Sequence, residues 1–238
     1  MIILAFDSTA KAACVAVSDG ERLLADYTID NGLTQSELLL PMAENVLASL
    51  GMSFEDVDVF AAAVGPGSFT GVRIGVSLVK GLAFGKSKPC VAVSTIEALA
   101  ENISPLEGIL VPVMDARRSQ VYTALFTAEG GEIRRLTTDA AISIAELAEW
   151  LKKYGDTPIY LSGDGYATAK AGLSALGVEA RNTPELLLRE SAYSVARVAY
   201  RKYQRGEVLG DREIAPTYLR VPQAERERLE REAQNSGK

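Results

Sequence analysis

An apolar run that ends at an aspartate occurs twice along the chain. Residues 2–6 are all apolar and lead into Asp7, and residues 109–114 are all apolar and lead into Asp115. Unbroken apolar runs of this length are typical of strands buried on both faces of a sheet. The two aspartates are separated by an offset of 108 positions. We therefore interpret the chain as an internal duplication.

Each aspartate is followed by the same order of predicted elements. In the first half the pattern predicts strands over 14–17, 23–29, 57–64 and 90–93, and helices over 35–50, 70–84 and 95–103. In the second half it predicts strands over 121–126, 133–136, 158–161 and 178–180, and helices over 143–153, 167–176 and 191–205. Two copies of the series βββαβαβα indicate an α/β protein with the duplicated, two-lobed actin-like, ribonuclease-H-like (ASKHA) fold, in which two lobes face each other across a cleft.

This repeat predicts three segments. Residues 1–108 form an N-terminal actin-like lobe, and residues 109–222 form a C-terminal one, with its last helix free to pack back on the first lobe. Residues 223–238 alternate acidic and basic side chains and contain few apolar ones, so we expect a charged, solvated tail.

Composition excludes several kinds of site. The 238 residues include no histidine, which excludes Ser/His/Asp and Cys/His catalysis and any metal site built on imidazole. The two cysteines, Cys14 and Cys90, have no metal-binding spacing and are typical of small buried side chains in a reducing compartment. We therefore expect a cytoplasmic protein without a metal or cofactor. No run approaches the roughly 20 apolar residues of a membrane helix.

The net charge of the chain limits how it can bind nucleic acid. The net charge is −6, and the basic residues are scattered along the chain. Because phosphate neutralisation supplies most of the affinity for nucleic acids, a protein that binds RNA alone normally presents a basic face. We expect any contact with RNA to depend on a more basic partner.

Actin-like ATPases hold phosphate and magnesium at positions that correspond here to Asp7, Ser8, Thr9 and Asp115. Gly67 lies in a loop of the N-terminal lobe. These five residues are the candidates for a vestigial nucleotide cleft. The first connection lacks the glycines that allow a backbone to approach phosphate closely. A strand-capping role for the aspartates is the alternative.

The stretch Gly-Pro-Gly-Ser-Phe-Thr-Gly-Val-Arg-Ile-Gly, residues 65–75, matches neither the P-loop nor the dinucleotide fingerprint. It predicts a tight turn into a helix, with Ser68 or Thr70 as the N-cap. The helix is apolar over more than half of its circumference, wider than one core face requires. We expect Gly75, Leu78 and Leu82 on a partner face and Arg73 to be buried. Burial of the whole helix between the two lobes is the alternative.

Four motifs together resemble the bacterial TsaB family. They are Ile-Leu-Ala-Phe-Asp-Ser-Thr near the start, the glycine motif, Met-Asp-Ala-Arg-Arg-Ser-Gln-Val-Tyr at 114–122, and Ala-Pro-Thr-Tyr-Leu-Arg at 215–220. The resemblance implies a non-catalytic subunit of the pathway that makes threonylcarbamoyladenosine (t6A) in tRNA. Its implied partners are a TsaD-like catalytic paralogue, a TsaE-like ATPase and, for the free chain, a second copy, with tRNA reached only through the complex.

In that family the N-terminal helices make the partner contact. Carried over to this sequence, the predicted partner-binding residues are Leu38, Met42, Val72, Arg73, Gly75, Leu78 and Leu82. The TsaD-like paralogue holds its metal with two histidines four residues apart on an early helix, and the corresponding segment here, 34–41, has none. Two alternatives remain: a stand-alone actin-like ATPase or kinase, and a peptidase that acts on the paralogue.

Overall fold

The computed structural model describes residues 1–117 and 120–220, so the predicted charged tail at 223–238 lies outside the described residues. The first half forms a five-stranded sheet in the order β3-β2-β1-β4-β5. Its pairs are antiparallel from β1 to β3 and parallel from β1 to β5. The elements are β1 Ile2–Asp7, β2 Ala13–Asp19, β3 Arg22–Ile29, α1 Gln35–Ser49, β4 Val59–Ala63, α2 Phe69–Ala83, β5 Cys90–Val93 and α3 Thr95–Asn102.

The second half repeats this topology with two of its strands broken. Its elements are β6 Gly108–Asp115, β7 Gln120–Thr123, β8 Phe126–Glu129, β9 Glu132–Arg135, β10 Ala140–Ser143, α4 Ile144–Leu151, β11 Ile159–Ser162, α5 Tyr166–Ala175 and α6 Ala192–Gln204. β6 pairs antiparallel with both β7 and β8, and parallel with β11. β7 and β8 pair in turn with β10 and β9. The pairing is that of the duplicated actin-like fold.

The break in the second strand corrects the prediction of one strand over 121–126. Ala124 and Leu125 are fully buried and leave the ladder. The Leu125 N–H donates to the Thr137 hydroxyl, and its carbonyl accepts from the Leu136 N–H. A hydrogen-bonded kink therefore divides the strand. The short strand predicted at 178–180 is also absent, since only one bridge, between Tyr160 and Arg181, forms in that region.

Both faces of the first sheet are covered by helices. α1 and α2 pack on one face, where Leu4, Phe6 and Phe60 meet Leu39 and Val76 in the largest core cluster. The other face carries Ile3, Ala5 and Val59, which pack against α6, a helix from the second half of the chain. The first lobe is thus a three-layer structure that α6 completes.

A buried ion cluster joins α6 to α3. The Glu101 side chain is fully buried and forms ion pairs with Arg197, at 2.8 Å, and with Arg201. Both arginines come from one face of α6, one turn apart. A carboxylate away from water needs such partners, because its desolvation is otherwise uncompensated. Among the described helices, none is long and apolar enough to cross a membrane.

Candidate partner-binding site

The glycine motif packs against the end of β1. Ser68 caps α2 by accepting from the Gly71 N–H, and its own N–H donates to the Thr9 carbonyl at 2.7 Å. A Cβ on Gly67 would lie 2.5 Å from the Thr9 carbonyl oxygen, and one on Gly71 would overlap the Ser8 carbonyl oxygen. These positions accept only glycine because backbone approaches backbone. The motif therefore fills the space beside residues 7–9.

Close packing leaves the first candidate cleft residues inaccessible. Asp7, Ser8 and Thr9 are each 1% exposed. One Asp7 carboxylate oxygen accepts from the Thr9 N–H and hydroxyl, at 2.9 and 2.6 Å, and the other has no hydrogen-bond partner among the described residues. Burial raises the pKa of Asp7 to about 6, against the lowering effect of the Thr9 hydrogen bonds. A phosphate could not reach these side chains in this conformation.

A second buried carboxyl, Glu190, lies near Asp7. It precedes α6, and its Oε1 has no hydrogen-bond partner in the described part of the chain. Burial raises the pKa of Glu190 to about 8, with a further upward contribution from the negative charge of Asp7. The Cys14 thiol donates to the Glu190 carbonyl at 3.6 Å, and burial followed by the charge of Asp7 holds the pKa of that thiol well above its usual range. We call this buried cluster of Asp7, Cys14 and Glu190 the acidic pocket.

Asp115, the counterpart of Asp7, is exposed. Its carboxylate accepts from the Arg117 N–H at 2.7 Å, and its own N–H donates to the Asp164 carboxylate at 2.9 Å. The duplicated aspartates thus have opposite environments, one buried and one capping a loop. Within residues 1–117 and 120–220, no group of three or more acidic, cysteine or histidine side chains is arranged to hold a metal ion.

An open groove lies between α1 and α2. Its volume is about 530 Å³. Its lining residues are Gln35, Ser36, Leu39, Leu40, Phe69, Thr70, Arg73, Ile74, Ser77 and Leu78. Leu39 is fully buried at the floor, while Leu40 and Phe69 are 39% and 41% exposed at the rim. An apolar groove with large exposed side chains at its edge is typical of a docking surface.

The structure divides the predicted partner-binding residues into three groups. Met42, Val72 and Gly75 are buried in the lobe itself, which corrects the prediction that they contact the partner. Gly75 faces Ser8, because a Cβ there would lie 2.5 Å from the Ser8 hydroxyl oxygen. Arg73 and Leu78 line the groove. Leu38 and Leu82 are half-buried against the core and do not line it.

Phe69, Tyr218 and Glu190 belong to these two sites but were not predicted from the sequence, and the prediction that Arg73 is buried is wrong. The Arg73 side chain is exposed, with its guanidinium 3.8 Å from the centre of the Phe69 ring. Phe69 was overlooked, although its position beside the N-cap puts it on the outside of the first helical turn. Tyr218, which stacks on Phe69, and Glu190, which lies near Asp7, come from distant segments. No local pattern connects them to the groove or to the acidic pocket.

Known proteins match most of the chain. The family model described as "TsaD: tRNA N6-adenosine threonylcarbamoyltransferase" matches residues 34–227. The tRNA threonylcarbamoyladenosine biosynthesis protein TsaB of Bacillus subtilis is 34% identical over 164 residues, which span 69% of this chain and 72% of that protein. Its Escherichia coli namesake is 29% identical over 232 residues, spanning 92% and 95% of the two chains.

A solved structure agrees with these matches. YeaZ from Pseudomonas aeruginosa superposes with a TM-score of 0.76 at 26% identity, over 92% of this chain and 99% of that one. The Escherichia coli relative and this solved structure each match 92% of the chain, including the glycine motif at 65–75. The chain therefore belongs to the bacterial TsaB family, within the wider group of proteins that the TsaD model describes.

Proposed function

We propose that this protein is a non-catalytic subunit in the biosynthesis of threonylcarbamoyladenosine in tRNA. In this role it binds a TsaD-like paralogue, which transfers the threonylcarbamoyl group to N6 of the tRNA adenosine, and a TsaE-like ATPase joins the two. The names of the relatives support the pathway. The 238 residues include no histidine, so the chain cannot reproduce a histidine-based metal site. This supports the assignment of catalysis to the paralogue.

The observation that carries this proposal is the apolar groove between α1 and α2. Its buried floor and exposed rim offer a helix of the partner a place to pack, as in other helix-in-groove contacts. We assign the partner surface to residues on the N-terminal lobe, 1–108. Arg73 and Leu78 are retained from the predicted set, and Leu40 and Phe69 are added. In the absence of the paralogue, a second copy of this chain would occupy the same groove.

The two alternatives have weaker support. A stand-alone ATPase or kinase needs a phosphate cradle, whereas Ser8 and Thr9 are buried under the glycine motif. A peptidase needs a nucleophile activated by a base, and the chain has no histidine. We also propose that tRNA contacts this subunit only within the complex, because its net charge of −6 opposes phosphate binding.

The test is the affinity of groove variants for the purified TsaD-like paralogue of the same organism. Leu78→Asp would place a charge in the dry part of the contact, and a central interface residue often contributes about 2 kcal/mol or more, roughly thirtyfold in affinity. Leu40→Asp is the second variant, because Leu40 is more exposed and its replacement should not disturb the core. Leu186→Asp, at a residue 90% exposed on the other lobe, is the matched control.

We expect both groove variants to melt within a few degrees of wild type and to bind weakly, and the control to bind normally. t6A should also fall in cells that depend on a groove variant. Wild-type affinity in both folded groove variants would overturn the assignment of the groove. Hydrolysis of ATP by the isolated chain at about 1 per second, an ordinary enzymatic rate, would instead favour the ATPase alternative.

A further inference from the structure

The last described segment of the chain, residues 214–220, crosses from one lobe to the other, and we call it the strap. Ile214 is fully buried in the core of the first lobe, and its carbonyl accepts from the Lys80 ammonium of α2 at 2.9 Å. Further on, the Thr217 N–H donates to the Val64 carbonyl at 2.7 Å. The strap also passes close to Gly65, where a Cβ would lie 2.6 Å from the Thr217 carbonyl oxygen. Its first half is therefore tied firmly to the first lobe.

At Tyr218 the strap meets the rim of the groove. The Tyr218 hydroxyl accepts a hydrogen bond of 2.7 Å from Arg73 Nε, and its ring centre lies 5.3 Å from that of Phe69. The Arg73 guanidinium in turn lies over the Phe69 ring. Phe69 and Arg73 line the groove, whereas Tyr218 does not. A residue outside the groove thus holds two residues that form its rim.

At Arg220 the strap reaches the second lobe. One guanidinium nitrogen donates to the Ala116 carbonyl at 3.0 Å and the other to the Gln120 side-chain oxygen. The guanidinium carbon also lies 5.6 Å from the centre of the Tyr122 ring. Ala116 directly follows β6, which ends at Asp115, while Gln120 and Tyr122 belong to the neighbouring strand β7. The position of Tyr218 is therefore set from both lobes.

We propose that Tyr218 is a positioning residue for partner binding, held in place by Arg220 at the end of the strap. The inference rests on the proposed function of the groove. Exposed phenylalanine and arginine side chains sample several rotamers, and immobilising them when the partner binds opposes association. Stacking with Tyr218 fixes Phe69 and Arg73 before the partner arrives. The strap thereby raises the affinity of the groove for the partner, although no strap residue lines the groove.

A double-mutant cycle on the affinity for the TsaD-like paralogue tests this role. We expect Tyr218→Ala to weaken binding about tenfold, and Tyr218→Phe, which keeps the ring and loses only the hydroxyl acceptor, about threefold. In an Arg73→Ala background, Tyr218→Phe should cause no further loss, because its effect passes through Arg73. Tyr203→Ala, at another partly exposed tyrosine, is the matched control and should bind normally.

Arg220→Ala tests the anchor from the opposite lobe. It leaves the stack itself untouched, so we expect a loss of about threefold in affinity and faster amide exchange over 215–220. Wild-type affinity in Tyr218→Ala would overturn the proposal, and so would an equal loss from Tyr218→Phe with and without Arg73. These failures differ from failure of the proposed function, in which Leu40→Asp would also leave binding unchanged.

Discussion

Ser8 and Gly71 are in backbone contact, although 62 positions lie between them in the chain. The Ser8 hydroxyl donates a hydrogen bond of 2.8 Å to the Gly71 carbonyl, and the space where Gly71 would carry a Cβ is taken by the Ser8 carbonyl oxygen. The contact joins the first turn of α2 to the end of β1. Because Gly71 has no side chain, the glycine motif can pack directly against the backbone at the end of β1.

Gly71→Ala should therefore destabilise the protein. The added methyl group meets backbone that cannot rotate away, and overpacking of this kind typically costs about 1–3 kcal/mol, occasionally more. Gly81→Ala in the same helix is the control, because nothing lies within 4 Å of its Cβ position. That change should raise the free energy of unfolding by about 1 kcal/mol. Urea titrations of the two variants measure both effects, and equal stability would contradict the packing described here.

The acidic pocket predicts a pH dependence of stability. Burial raises the pKa of Glu190 to about 8 from its usual 4.5, and that of Asp7 to about 6 from 3.8. The folded protein thus keeps protons that the unfolded chain has lost. The free energy of unfolding should fall as the pH rises from about 4.5 to 8, by at most about 1.4 kcal/mol per pH unit for one such group.

Glu190→Gln removes the titrating group. The variant should become more stable relative to wild type as the pH rises from 5 to 8, because the amide remains neutral. Urea titrations across this range provide the measurement. The same substitution at exposed Glu185 in the preceding segment is the control. If the free energies of unfolding of wild type and Glu190→Gln differ by the same amount at every pH from 5 to 8, the raised pKa of Glu190 is contradicted.

Glu101 should be a stabilising residue. Its removal in Glu101→Ala leaves Arg197 and Arg201 facing an apolar gap between α3 and α6, and disruption of a buried ion pair costs about 3 kcal/mol or more. Glu149→Ala is the matched control, because its pair with Lys152 is exposed and contributes at most about 0.5 kcal/mol. Thermal melts compare the two, and a loss of the same size in both would contradict the distinction.

The isolated subunit should bind tRNA weakly, with a dissociation constant above about 1 µM at physiological salt. Its net charge of −6 leaves few clustered cations to displace counterions from phosphates. Filter binding measures this affinity, with the complex containing the TsaD-like paralogue as the positive comparison. A dissociation constant of about 10 nM for the lone chain would contradict this prediction and indicate a basic surface on the subunit.

Much of the fold could be predicted from local patterns. The duplicated run and aspartate, β1 with Asp7 and β6 with Asp115, predicted the two-lobed topology, and Ser68 was recognised as a possible N-cap. Periodicity could not show the break at Ala124 and Leu125, because those residues are as apolar as the strand around them. The Leu125 N–H leaves the ladder because it donates a hydrogen bond to the Thr137 hydroxyl, a partner beyond the strand.

By itself the sequence determined the duplication, the absence of imidazole chemistry and the family. Tertiary structure decided which part of α2 is available to a partner. Gly75 and Leu78 are three residues apart on one side of that helix, yet Ser8 covers Gly75 while Leu78 lines the groove. Helical spacing specifies which residues share a side. Only the segments packed against that side, here the end of β1, determine which of them reach the surface.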